Sequence, residues 1–185
     1  MRNKLFIFFF LIFVLVPFII FPVTLVRVGY IDLDIIIETY TGKYLDTEIS
    51  IREDYVLKLQ GNYNQNYFTF SEEERSDILL QLKDQRNVLS MLRYNKFLWE
   101  STEDIRDDII YQIVQRDIME AIKKTSELEG YSLILDNTGN FIYGSNDINL
   151  TDKVLFRLDE KLLDLQNNEP VAPLILELEE NLEIF

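Results

Sequence analysis

Neither cysteine nor histidine occurs among the 185 residues. Without cysteine there is no disulfide framework, thiolate nucleophile, CxxC redox pair, iron–sulfur cluster or thiol for lipid attachment. Without histidine there is no Ser–His–Asp triad, no His-ligated zinc site and no imidazole base near neutral pH. Any catalysis would fall to carboxylates, Lys, Tyr or Ser/Thr. Basic residues are scarce as well: 18 Lys and Arg stand against 32 Asp and Glu, a net charge of −14. Nucleic-acid binding rests on clustered Lys and Arg, so no nucleic-acid partner is expected. No glycine-rich phosphate loop is present.

Apolar residues are abundant but unevenly placed. Residues 5–26 are apolar at 19 of 22 positions, the exceptions being Pro17, Pro22 and Thr24. Arg2 and Lys4 precede this run. The order is that of an export signal, a positive end followed by an apolar core. The basic end stays cytoplasmic, so the remainder is expected across the membrane, outside the cytoplasm; the resemblance given below makes that compartment the periplasm. No Ala-x-Ala cleavage site stands near its end, and as a helix the run would reach about 33 Å, enough to cross the hydrocarbon core. Residues 1–26 are therefore either a cleaved signal, leaving a soluble protein, or an uncleaved anchor giving membrane association through residues 5–26. Residues 32–185 then carry 15 basic and 32 acidic side chains, a net charge of −17.

Residues 28–33 are rich in β-formers and predict a strand. Residues 34–129 predict a helical hairpin. In its first arm, Leu45, Ile49, Arg52, Val56, Leu59 and Tyr63 recur at steps of four and three, a coiled-coil seam with Arg52 as the misfit. Gly42 costs about 1 kcal/mol relative to Ala in a helix and predicts a break there. Residues 61–67, rich in turn formers, predict the end of the arm. Ser71 with Glu74 forms a capping box that opens the second arm. Its seam is Ile78, Leu82, Gln85, Leu89, Leu92, Lys96 and Trp99. No Pro or Gly occurs from 71 to 129, yet one helix of that length would reach about 90 Å, longer than a compact domain needs. The phase changes near residues 101–104, after which a wider stripe contains Ile105, Ile109, Ile110, Ile113, Val114, Ile118, Ala121 and Ile122.

Gly130 predicts a helix end. Residues 130–144 predict a β-hairpin, with strands at 131–136 and 141–143 around a turn at 137–140. Residues 151–165 predict a helix with Val154, Leu155, Leu158, Leu162 and Leu165 on one face. Residues 166–185 are an acidic tail, for which helix, edge strand and disorder are all open. The strand and hairpin total only about 15 residues, too few to bury a sheet of their own. Narrow stripes on the long helices suit a helix pair and not a globular core. The expected fold is α+β and mostly helical: a long antiparallel coiled-coil-like hairpin projecting from a small β platform. The platform is expected to complete its core by oligomerising, through Val28, Tyr30, Ile31, Leu133 and Leu135.

The order of elements, with certain local words, resembles the Skp/OmpH family of periplasmic chaperones for outer-membrane proteins. The words are Val28-Gly29-Tyr30-Ile31-Asp32-Leu33 at the first strand and Gly130-Tyr131-Ser132-Leu133-Ile134-Leu135-Asp136 at the second. The third is Ile142-Tyr143-Gly144, followed by Asp147-Ile148 and Thr151-Asp152-Lys153-Val154. Residues 27–165 are thereby an Skp/OmpH-like domain. The resemblance implies a homotrimer whose helical tentacles surround a cavity, holding unfolded outer-membrane proteins without ATP. It implies no enzyme activity and no cofactor. The best-known members are basic whereas this chain is acidic, so a lipopolysaccharide-binding role is not carried over.

Tyr63, Tyr67, Phe68 and Phe70 cluster at the expected hairpin tip and are the candidate client-binding residues. Closing the hairpin end would use the same residues. Tyr40, Tyr44, Tyr55, Phe97 and Trp99 are expected to pack between the helices. Asp32, Asp34, Asp107, Asp108, Glu72, Glu73 and Glu74 read as helix caps and solvated faces, since no partner carboxylate stands at a defined separation. No spacing fits a metal loop. A different function, a membrane-anchored coiled-coil scaffold of the cell envelope, would share the helices and the anchor without needing a client surface.

Overall fold

The computed structural model describes residues 26–101, 108–137, 145–168 and 170. The export run up to residue 25, residues Ile105 and Asp107, the expected strand at 141–143 with most of its turn, and tail residues 171–185 lie outside the described residues. The described chain is mostly helical, with a small two-stranded parallel sheet. Its order is β1 (Val28–Ile31), α1 (Leu33–Asn66), α2 (Glu72–Glu100), α3 (Asp108–Glu129), β2 (Leu133–Asp136) and α4 (Thr151–Asn167).

Asp32 caps α1, its Oδ1 accepting from Ile35 N at 3.1 Å. The break expected at Gly42 does not occur: α1 runs through both Gly42 and Gly61 to Asn66. Tyr40, Thr41, Tyr44 and Leu45 flank Gly42 and are all buried. Burying each large apolar side chain gains about 1.5–3 kcal/mol, which outweighs a glycine's helix penalty of about 1 kcal/mol. After a turn at residues 67–70, the capping box at Ser71 and Glu74 opens α2 as expected. The two helices then lie side by side in opposite directions. Lys96 pairs with Asp46, Arg93 with Glu53 at 2.7 Å, and Arg86 with Gln60 at 2.9 Å. Between them the seam residues Leu45, Val56, Leu82, Leu89 and Leu92 are buried.

α2 stops at Glu100, where Ser101 turns back on its own helix, its N and Oγ both donating to Phe97 O. The phase change in the sequence falls at this point. The wide stripe of α3 then packs with α4 onto the first half of α1. Ile36, Tyr40, Leu45, Leu92, Ile110, Ile113, Ile118, Leu158 and Leu162 belong to one continuous core. This corrects the expectation that the helices cannot supply a globular core. Because α3 departs from the line of α2, its broad apolar face finds partners within the chain. A core therefore forms without a second copy.

β1 and β2 pair in parallel, Val28 opposite Leu133 and Ile31 opposite Asp136, with the three long helices as the crossover. Gly130, at φ 70°, lets the chain leave α3 towards this pairing. The start of α4 is tied to the same edge. Leu150 N donates to Tyr30 O at 2.9 Å, and Asp32 N donates to Thr151 Oγ1 at 2.9 Å. The approach is close: a Cβ on Gly29 would sit 2.9 Å from Leu150 Cδ1.

Candidate functional site

The residues expected at the tip come together there. Tyr63 and Tyr67 stand one turn apart at the end of α1, their rings 5.6 Å apart and edge-to-face. Phe68 follows in the turn with its ring 5.3 Å from Tyr67. The Arg75 guanidinium lies over the Tyr67 ring at 5.1 Å. Thr69 N and Phe70 N both donate to Asn66 O, which closes the turn. Tyr63 and Phe70 are half-buried, Tyr67 is 41% exposed, and Phe68 is 95% exposed. Half of the cluster thus closes the hairpin end, while Phe68 stands in solvent. The Ser71 backbone N–H donates to the Glu74 carboxylate and holds its pKa below the usual range.

The five expected platform residues divide. Val28, Leu133 and Leu135 are exposed, whereas Tyr30 and Ile31 are turned inward and buried in the chain's own core. Those two are not available to a partner without opening the fold. Of the aromatics expected between the helices, Tyr40 and Tyr44 are fully buried, Tyr55 and Trp99 half-buried, and Phe97 exposed. Trp99 also borders an apolar cleft of about 520 Å³, shared with Leu33 and Ile37 of α1 and with Tyr111, Ile118 and Met119 of α3. Among the acids, Asp32 is a cap, and Asp34, Glu72, Glu73 and Glu74 sit exposed in first helical turns. Groups of metal-ligating side chains are absent among the described residues, as is any helix long and apolar enough to cross a membrane.

Two buried polar clusters lie beyond the sequence expectations. Arg52 is wholly buried between α1 and α2, its Nε donating to Glu48 Oε2 at 2.8 Å and its Nη1 to Gln85 Oε1 at 2.9 Å. The signal was present as two polar misfits, Arg52 and Gln85, in facing seams. Asp117 is the second centre, 1% exposed. Its Oδ2 accepts from Tyr40 Oη at 2.7 Å, and its Oδ1 accepts from Lys161 Nζ at 2.8 Å and Arg116 Nη2 at 3.0 Å. It thus fastens α1, α3 and α4 together. Lys161 also donates to Glu120, lowering the pKa of that carboxyl. An acid one helical turn from Ile113 and from Ala121, inside an apolar stripe, was the available signal.

Burial, and then the Asp117 carboxylate, push the Tyr40 hydroxyl far above its ordinary value. In the unfolded chain a tyrosine ionises near pH 10. The folded state keeps the proton that the unfolded state loses, so stability is full below that pH and falls as pH rises above it. The expected slope is about 1.4 kcal/mol per pH unit from this group. Denaturant melts at pH 9 to 11 should show it, and Tyr40→Phe should remove that share of the alkaline decline. An unchanged decline in the variant would refute the assignment.

Compared with known proteins, the chain matches no family model and no curated sequence.

Proposed function

We propose that the chain is an ATP-independent periplasmic holdase that binds unfolded outer-membrane proteins and keeps them from aggregating during export. The observation that carries the reading is Phe68, 95% exposed at the tip of the antiparallel helix pair and in ring contact with Tyr67. An isolated exposed aromatic needs no explanation, but a contiguous group on one turn is a surface for apolar segments. The α1–α2 pair serves as a coiled-coil-like arm, and the apolar cleft beside Trp99 offers a second contact at its base. Self-association, a trimer by the resemblance to Skp/OmpH proteins, would use the exposed strand residues Val28, Leu133 and Leu135. Recognition through shape and apolar surface requires neither histidine nor cysteine.

The purified chain, in stoichiometric amounts and without nucleotide, is expected to keep an unfolded β-barrel protein in solution after dilution from urea. Replacing Phe68 by Asp should weaken this several-fold while leaving the melting curve nearly unchanged, because Phe68 buries almost nothing. Ordinary aggregation of the client in the presence of the unaltered chain would sink the reading. Capture of one folded envelope partner, with no effect on client aggregation, would favour the scaffold instead.

A further inference from the structure

A ladder of ion pairs runs along the flank shared by α3 and α4, and its middle rung is mismatched. The two helices are antiparallel here. Lys153 pairs with Glu129 at 2.5 Å, while Lys161, two turns further on, pairs with Glu120 at 2.7 Å and Asp117 at 2.8 Å. Between these rungs stand Arg157 on α4 and Lys124 on α3. Arg157 lies about 6 Å along its helix from Lys153, and Lys124 about 7.5 Å along its own from Glu129. The two are therefore at one level, and both line a cleft of about 650 Å³. A cation stands across from a cation, in a chain with 32 acids and 18 bases.

The rung is also short of an acceptor. Arg157 Nε is inaccessible and has no hydrogen-bond partner, although the residue as a whole is half-buried. The acids within electrostatic reach are already taken: Glu129, near Arg157, is held by Lys153, and Glu120, near Lys124, by Lys161. An exposed lysine needs no explanation, but a buried donor without an acceptor does. One anion bridging the two cations would supply that acceptor and cancel the repulsion together.

The rest of the lining sets the kind of ligand. Ala121 and Leu158 form an apolar wall, and Glu160 and Asp164, further along α4, bring two exposed negative charges. A large polyanion would be repelled there. A phosphate monoester with a neutral or cationic remainder fits, since its dianion matches two cations and a guanidinium takes oxyanions with two parallel donors.

We propose that the α3–α4 cleft binds a small phosphate monoester, its oxygens bridging the Arg157 guanidinium and the Lys124 ammonium, with the remainder directed towards Glu160 and Asp164. The site is distant in the chain from the tip aromatics and does not depend on the holdase reading.

Titration calorimetry on the full chain at constant ionic strength tests it, with inorganic phosphate and O-phosphoethanolamine as probes. Both are expected to bind saturably at one site, phosphoethanolamine the more tightly because its ammonium can meet Glu160 or Asp164. Arg157→Gln and Lys124→Gln should each weaken either probe about tenfold or more, the effect of losing a charge-assisted contact. Lys83→Gln, at an exposed position on α2 outside the cleft, should leave binding unchanged. Melting curves keep a lost site apart from a lost fold: without ligand the variants should melt close to the unaltered chain, and phosphoethanolamine should raise the melting temperature of the unaltered chain alone. Absence of saturable heat with either probe would overturn the proposal, as would equal binding in Arg157→Gln, Lys124→Gln and Lys83→Gln. Tighter binding of inorganic phosphate than of phosphoethanolamine would overturn the placement of the remainder.

Discussion

Glu48→Ala is expected to cost the fold about 3–5 kcal/mol, a fall in melting temperature of roughly 6–20 °C for a chain of this size. Glu48 is 3% exposed and supplies the counter-charge to Arg52, which has no exposed surface at all. Arg52 cannot escape by losing a proton, since its guanidinium stays charged at every pH a protein survives. Nor can it swing out, because α2 covers it and Gln85 holds Nη1 from the opposite helix. The variant therefore takes the Glu48 carboxylate away from a buried cation. Replacing the pair, Arg52→Met with Glu48→Leu, should behave differently: stability is expected to be unchanged or higher by about 1–4 kcal/mol, because desolvation of both ions is relieved together. Urea melts of the two variants make the comparison. A loss below about 1 kcal/mol for Glu48→Ala would show that water reaches Arg52 and that the closed seam is wrong.

What Arg52 contributes through its hydrogen bond to Gln85 is register. An apolar seam at four–three spacing tolerates a slide of one heptad, whereas Arg52 can meet Gln85 at one alignment only. That alignment places Tyr67 and Phe68 at the apex of the turn, and sets Gln85 Nε2 where it meets Pro170 O.

The seams of α1 and α2 were legible because each is a local periodicity: Leu45, Val56, Leu82, Leu89 and Leu92 sit where the spacing puts them. The capping box was legible for the same reason. Gly42 misled because helix propensity is a small local term, overruled by the buried side chains on either side of it. The course of the chain after Glu100 was legible only as a change of phase, since no proline or glycine marks it. With that course went the core, whose existence depends on α3 folding back with α4. At the sheet, four-residue strands are too short for alternation to tell an inner face from an outer one. In β1, three consecutive residues, Gly29, Tyr30 and Ile31, are all buried. At the candidate site, the tip aromatics were readable because they surround a turn, but the division between Tyr63, which packs, and Phe68, which does not, depends on where the helix ends.

Asp117→Ala is the other large effect, also about 3–5 kcal/mol. Asp117 is nearly inaccessible and is the shared acceptor for Tyr40 Oη, Lys161 Nζ and the Arg116 guanidinium. Removing the carboxylate strands the Tyr40 hydroxyl inside the core. It also leaves two cations, each only partly exposed, facing one another across α3 and α4. Asp117→Asn separates shape from charge. An amide can still accept from Tyr40, and Lys161 keeps Glu120 at 2.7 Å, so the loss should fall to about 1–3 kcal/mol. The same variant removes a negative charge that helps to raise the Tyr40 pKa. Between pH 10 and 11 stability should nevertheless fall as steeply in Asp117→Asn as in the unaltered chain, because burial, the first cause of the shift, still keeps the folded hydroxyl protonated there. Urea melts across pH 8 to 11 read both quantities at once. Equal losses for Ala and Asn would show that the charge, and not the hydrogen bond to Tyr40, joins α1 to the α3–α4 pair. A shallower slope would show that burial alone does not keep the proton on Tyr40 in this range and that the Asp117 charge is needed.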